Sequence, residues 1–340
     1  MTAVTLAQAA RQLEINIRFN IPTMLVGPVG VGKTDLIRQV CAKLGLPIIE
    51  KRASQMAATD LTLPMPDHTT GRIKNFVPDW LPDETRDGLK GAILFDELSD
   101  ASISVQAALN QLFLEGELPG YKKPAGWIIL ATGNRASDKA AAQKFSRATA
   151  NRLAIIEIKN DVKTWLDWAA NHGIAAELIA YVANADRMGV GELALHRYPV
   201  AGSDAIAFCT NRSLSRCSDY FKAGLNDSDL QACIAANCGD DTALDILNYL
   251  ATYRLLPSFQ SILADPANAP MHREPSVNFA LMVALVSQLT MKNLPVVVTY
   301  VKRMDRLYQA AFWDTAKSKD SAFEETAEHV AFLLAQSRAS

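Results

Sequence analysis

Gly27-Pro28-Val29-Gly30-Val31-Gly32-Lys33-Thr34 is the stretch on which the reading of this chain turns. It fits the pattern G-x-x-x-x-G-K-[ST]. Its flanks fit too: Met24-Leu25-Val26 predicts a short buried strand before it, and Asp35 to Leu44 an amphipathic helix after it. The glycines let the backbone curl until its N–H groups face one point. The helix N-terminus adds a positive partial charge there, so the loop is built to hold phosphates. Lys33 is placed to reach the β- and γ-phosphates of ATP and Thr34 to put its hydroxyl on Mg²⁺, with Asp35 closing the binding segment.

The 340 residues are 49% hydrophobic and 21% charged, enough material for two or three domain cores. A net charge of −2 and a pI of about 6.2 supply no global field toward nucleic acid or an anionic membrane. No apolar run reaches the ~18 residues of a membrane span. Met1-Thr2-Ala3-Val4 lacks the basic and apolar regions of a signal peptide, so a cytoplasmic protein is expected. The cysteines at 41, 209, 217, 233 and 238 form no C-x-x-C pair and no metal spacing with the histidines, which suits buried free thiols.

Residues 4–19 carry apolar side chains at helical spacing, and Pro22 ends that approach to the first strand. Pro47 to Arg52 predicts a second strand. Residues 54–90 are polar, with prolines at 64, 66, 78 and 82 and a turn at Thr69-Thr70-Gly71-Arg72, which predicts an extended arm or hairpin inserted into the domain. Long ordered loops in compact domains are usually functional. Ala92-Ile93-Leu94-Phe95-Asp96-Glu97 then runs from four apolar residues into two carboxylates. Such a run suits a central parallel strand, and its C-terminal end is where a doubly wound sheet places ligands. Asp96 can hold the Mg²⁺ shell and Glu97 can polarise an attacking water.

A helix is expected over 101–116 and a further strand at Trp127 to Thr132, tipped by Asn134, whose amide can orient the hydrolytic water. A short helix at about 139–150 leads through Arg147 and Arg152 to a fifth strand at Ala154 to Ile158. Beyond 160 the strand patterns stop. Segments at 165–169, 174–188, 203–222, 228–238, 241–254, 276–291 and 294–312 predict amphipathic helices, with Pro266, Pro270 and Pro275 bracketing a linker. The domain boundaries expected are a nucleotide-binding core over 1–159 with its insert at about 63–78, an α-helical lid over 160–258 and a helical C-terminal extension over 259–340.

This order of phosphate loop, Asp-Glu strand, Asn-tipped strand and Arg-bearing helix resembles the AAA+ ATPases. Gln106-Ala107-Ala108-Leu109-Asn110, Leu112-Phe113-Leu114-Glu115-Gly116-Glu117-Leu118 and the polar insert make it similar to their MoxR-like group, in bacterial or phage-encoded form. The resemblance implies an α/β P-loop core with a five-stranded parallel sheet flanked by helices, followed by an all-α lid and a helical C-terminal region. It also implies a ring of copies, typically a hexamer, that spends ATP to remodel a protein client, often beside a partner with a von Willebrand factor A-type domain. By this resemblance Lys33 and Thr34 are the phosphate-loop lysine and Mg²⁺ hydroxyl. Asp96 and Glu97 become the metal and water residues, and Asn134 the first sensor. Arg152 then takes the place of the arginine finger offered to a neighbour, with Arg147 the second candidate. Phe208-Cys209-Thr210-Asn211-Arg212-Ser213-Leu214 resembles the second-sensor segment, which gives Arg212 the γ-phosphate of its own subunit. At Leu98-Ser99-Asp100 the chain departs from the group, where Asn-Arg is usual.

Two other functions use the same loop. A nucleic-acid motor of restriction or translocase type could use Arg72 and Lys74 in the insert or the Lys302, Arg303 and Arg306 cluster, but the acidic pI and the lack of a basic stripe stand against it. A small-molecule kinase would leave Asn134 and Arg152 without a task.

Overall fold

The computed structural model describes residues 2–135, 147–199, 205–272 and 275–337. Chain contacts divide it into two compact units, Met1–Thr164 and Trp165–Ser340.

The first unit opens with α1 (Leu6–Arg18), whose N-cap Thr5 exchanges hydrogen bonds with Gln8 in a capping box. Strand β1 (Thr23–Val26) runs into the phosphate loop and α2 (Lys33–Lys43). Strand β2 (Ile48–Arg52) follows, then a hairpin of β3 (Leu63–Asp67) and β4 (Arg72–Phe76), and a single helical turn, α3 (Glu84–Asp87). Next come β5 (Lys90–Asp96), α4 (Ile103–Glu115), a second small hairpin of β6 (Glu117–Leu118) and β7 (Tyr121–Lys122), and β8 (Gly126–Gly133). Helix α5 (Arg147–Ala150) and β9 (Ala154–Glu157) complete the sheet. Of the helix expected at about 139–150, residues 139–146 lie outside the described residues.

The main sheet has five parallel strands in the order β2-β5-β8-β1-β9. Its central strands are buried on both faces, as their near-continuous apolar runs require. On one face Ile93, Phe95, Trp127 and Ile129 pack with Val105, Leu109 and Phe113 of α4. On the other, Leu94, Ile128 and Leu130 pack with Leu13 of α1 and Ile37 and Val40 of α2. Helices therefore cover both faces, and all five strands point their C-terminal ends the same way.

The insert is an antiparallel hairpin apart from the main sheet, paired from Leu63↔Phe76 to Asp67↔Arg72. Its composition reads as polar, yet it holds Leu63, Met65, Ile73 and Phe76 at 43–75% exposure.

Among its described residues the second unit is helical apart from one isolated bridge, Arg197↔Cys209. It runs through α6 (Val162–Asn171, which begins in the first unit), α7 (Ala176–Arg187), α8 (Gly191–Leu195), α9 (Asn211–Lys222), α10 (Asp227–Cys238), α11 (Asp240–Tyr253) and α12 (Phe259–Ala264). It ends with α13 (Pro275–Ser287), α14 (Leu294–Val301), α15 (Arg306–Lys319) and α16 (Ala327–Ser337). Of the helix expected over 203–222, residues 203–204 lie outside the described residues, and from 205 on it begins only at Asn211, because Thr210 caps it with Ser213 and Cys209 is extended in its bridge. That expected over 294–312 is broken at 302–305: the N–H groups of Arg303 and Met304 close short turns onto Tyr300 and Val301, and Asp305 is extended. That expected over 276–291 stops at Ser287, where Lys319 Nζ donates to the carbonyls of Val286 and Leu289, both at 2.9 Å. An apolar cluster from Ile262 to Phe323 forms the core of the C-terminal helices. All five cysteines are free and four are buried. Burial pushes the Cys41 thiol up to about 11. Among the described residues no helix is long and apolar enough to cross a membrane.

Candidate nucleotide-binding site

The C-terminal ends of β1, β5 and β8 meet at one point of the first unit. The register aligns Val26 with Gly133 and Phe95 with Ala131, so the residues that follow the three strands are neighbours. After β1, Gly27 passes so close to β9 that a Cβ would lie 2.8 Å from the Ile158 carbonyl oxygen. Gly32 ends the loop at φ 101°, in the left-handed region open to glycine, and caps α2. The loop thus ends on the first turn of α2, whose N–H groups have no intrahelical partner.

Lys33 is buried, and its ammonium donates to the carbonyls of Gly27 (2.8 Å) and Pro28 (2.9 Å) and to Asn134 Oδ1 (3.1 Å). Next to it, Thr34 Oγ1 donates to Asp96 Oδ1 at 2.8 Å. Thr132 Oγ1, from the end of β8, donates to the same oxygen at 2.5 Å. An alcohol and a carboxylate side by side are hard oxygen donors, the set that Mg²⁺ takes.

Glu97 stands just past β5 at φ 57° and ψ 37°, a left-handed conformation rarely taken by a residue with a side chain. Such a conformation costs on the order of 1–3 kcal/mol and persists only where the surroundings hold it. Here the Glu97 N–H donates to Thr132 Oγ1 at 3.0 Å, while the next two residues, Leu98 and Ser99, are buried. Its carboxylate is partly exposed. It accepts from Ser54 Oγ at 2.6 Å and lies 3.8 Å from Arg52 Nε. The N–H of Asn134 donates to Ser99 Oγ at 2.9 Å, and its Nδ2 donates to Asp100 Oδ2 at 3.0 Å.

The structure therefore brings the loop, Lys33, Thr34, Asp96, Glu97 and Asn134 together. Asp35 lies in the first turn of α2, where its carboxylate faces Arg38 at 3.1 Å. Arg152 is half-buried between α5 and β9, its N–H bonded to the Thr149 carbonyl at 3.1 Å. Arg147 opens α5, and its side chain lies outside the described part. Arg212 belongs to the second unit, where it is exposed in the first turn of α9. Sequence reasoning missed Ser54, Ser99, Asp100 and Thr132. Each sits at or just past the C-terminal end of a sheet strand, and that position was the available signal.

Residues 22–153 match the AAA domain of the dynein-related subfamily. Midasin of Giardia intestinalis is 30% identical over 175 residues, 48% of this chain; the chain spans only 3% of that curated relative's length. NtrX from Brucella abortus superposes with a TM-score of 0.42 at 13% identity, covering 94% of this chain and 68% of that one. A point mutant of RuvB from Thermotoga maritima gives 0.39 at 16% identity, covering 77% and 74%.

Proposed function

We propose that the AAA domain binds ATP with Mg²⁺ at the phosphate loop and hydrolyses it, within a ring of copies that remodels or assembles a protein partner. The ring is of the MoxR-like type and hexameric on this reading. The observation that carries it is the buried Lys33 ammonium, set among loop carbonyls beside the Thr34–Asp96 pair. A phosphate entering the loop gives that cation a better partner than two neutral carbonyls.

In this assignment Lys33 pairs with the β- and γ-phosphates, while Thr34 and Asp96 would hold Mg²⁺, which when bound would supply positive charge to offset that of the phosphates. Glu97 takes the proton of the attacking water and Asn134 orients that water. Arg152, or Arg147 in its place, serves the neighbouring subunit, and Arg212 keeps the second-sensor role that the resemblance implies. The helical region divides at about 258 into a lid and an extension, the latter with its own apolar cluster. Lys33→Ala is expected to abolish ATP binding, read by titration with a fluorescent nucleotide. Tight binding by that variant, or no ATP turnover by the wild type with Mg²⁺, sinks the reading.

The hairpin favours a protein client over nucleic acid. Leu63, Met65 and Phe76 share one face with only Arg72 and Lys74 as cations, and a protein covers such apolar side chains better than a phosphate backbone does. Pro64 and Asn75 are paired across the strands, so removing 65–74 leaves two ends close enough to join. The deletion is expected to keep ATP binding and lose remodelling of the partner, checked by nucleotide titration beside a remodelling assay. If the core unfolds instead, the hairpin is structural.

A further inference from the structure

We propose that Asp100 is a positioning residue that fixes which end of the Asn134 amide faces the nucleotide. The inference rests on the ATPase reading above, and it concerns the point where the chain departs from the resembled group.

An asparagine amide has an acceptor end and a donor end, and which way it faces follows from its partners. For Asn134 both partners are unambiguous. Lys33 Nζ can only donate, so the atom 3.1 Å from it is Oδ1. The Asp100 carboxylate accepts, so the atom 3.0 Å from its Oδ2 is Nδ2. Asp100 is itself steadied by Ser99, whose hydroxyl lies 3.2 Å from Asp100 Oδ1, while the Asn134 N–H donates to that same hydroxyl at 2.9 Å. Asn134 is thus tied through its backbone and through both ends of its amide.

These ties do not all survive nucleotide binding. Lys33 turns toward phosphate when the loop is filled. Asp100 and Ser99 then remain, and Asp100 alone of the two holds the amide. With Nδ2 kept on Asp100, Oδ1 faces the reacting centre and presents an acceptor. An acceptor suits an O–H of the attacking water and does not suit a phosphate oxygen, which also accepts. Asp100 therefore makes Asn134 a residue that aligns water rather than one that binds the γ-phosphate.

The test compares kcat with nucleotide affinity in Asp100→Ala, Asp100→Asn, Asn134→Ala and the Asp100→Ala/Asn134→Ala double variant. Asp100→Ala is expected to lower kcat about 10–100-fold, the scale of a misplaced reacting group, with affinity for a non-hydrolysable ATP analogue unchanged. Adding Asn134→Ala to it should cost nothing more, because the two act as one unit. Asp100→Asn, the gentler change, should fall between the wild type and Asp100→Ala. An exchange supplies the rescue: Asn134→Asp sets two carboxylates face to face, and adding Asp100→Asn returns a donor between them and recovers part of kcat. A wild-type kcat in Asp100→Ala, losses that multiply in the double variant, or no recovery on exchange would overturn the role of Asp100 while leaving the ATPase reading in place. Absence of ATP turnover in the wild type overturns both.

Discussion

Glu97→Gln is expected to bind ATP as the wild type does and to hydrolyse it about 10²–10⁴-fold more slowly, the range that a general base contributes. The two effects separate because different atoms carry them. In the proposed assignment affinity comes from the loop, from Lys33 and from the first turn of α2, none of which the substitution touches. Chemistry needs a carboxylate that can take a proton, and an amide cannot. The geometry of the turn should survive, since the left-handed backbone at 97 is held through the N–H bond to Thr132 rather than by the carboxylate. Ser54 Oγ can still donate to the amide oxygen that replaces its present partner. Affinity is read by nucleotide titration and the rate by phosphate release under single-turnover conditions. Equal loss of both would mean that Glu97 builds the pocket, and the assignment as base would be wrong.

The contrast between Glu97 and Ser54 marks what the sequence makes legible. The phosphate loop is eight consecutive residues, and Asp96-Glu97 follows an unbroken apolar run, so pattern alone exposes them. Ser54 and Thr132 reach the same place only through strand register. Arg52 aligns with Asp96, which brings the end of β2 beside Glu97, and Phe95 aligns with Ala131, which brings Thr132 under Asp96. Register is a tertiary quantity, and at Ser54 only its place just past a strand end hints at it. The misread helices fail for a related reason. Met304 and Tyr308 keep a buried apolar face across 302–305, so the periodicity runs on while the backbone breaks. The hairpin turn was readable from Thr69-Thr70-Gly71, because turn chemistry is local. The exposure of Leu63, Met65, Ile73 and Phe76 was not, since it depends on what fails to pack against them.

Arg152→Ala is expected to leave ATP binding intact and to cut hydrolysis by ~10³–10⁵-fold, the scale of an arginine delivered in trans to a phosphoryl-transfer site. On the proposed reading such a residue serves another copy, because the sheet holds it away from the loop of its own. In the β1–β9 pairing Thr23 aligns with Ala154 and Val26 with Glu157, so Arg152 precedes β9 while the phosphate loop follows β1. The three residue steps from Thr23 to Val26 alone span about 10 Å, beyond what one arginine side chain bridges. A guanidinium on the far side of its own sheet can still complete a neighbour's site, and its planar, permanently charged fork suits the equatorial phosphate oxygens. Mixing Arg152→Ala with Glu97→Gln subunits at fixed total concentration then separates this from a folding defect. Wherever an Arg152→Ala subunit, with its Glu97 intact, receives Arg152 from a Glu97→Gln neighbour, one complete site forms. Activity of the mixture is therefore expected to exceed that of either variant alone, and to fall again on dilution below the assembly concentration. No recovery, in a mixture that sizing has proved to contain mixed rings, moves the finger away from Arg152 and makes Arg147 the residue to exchange next.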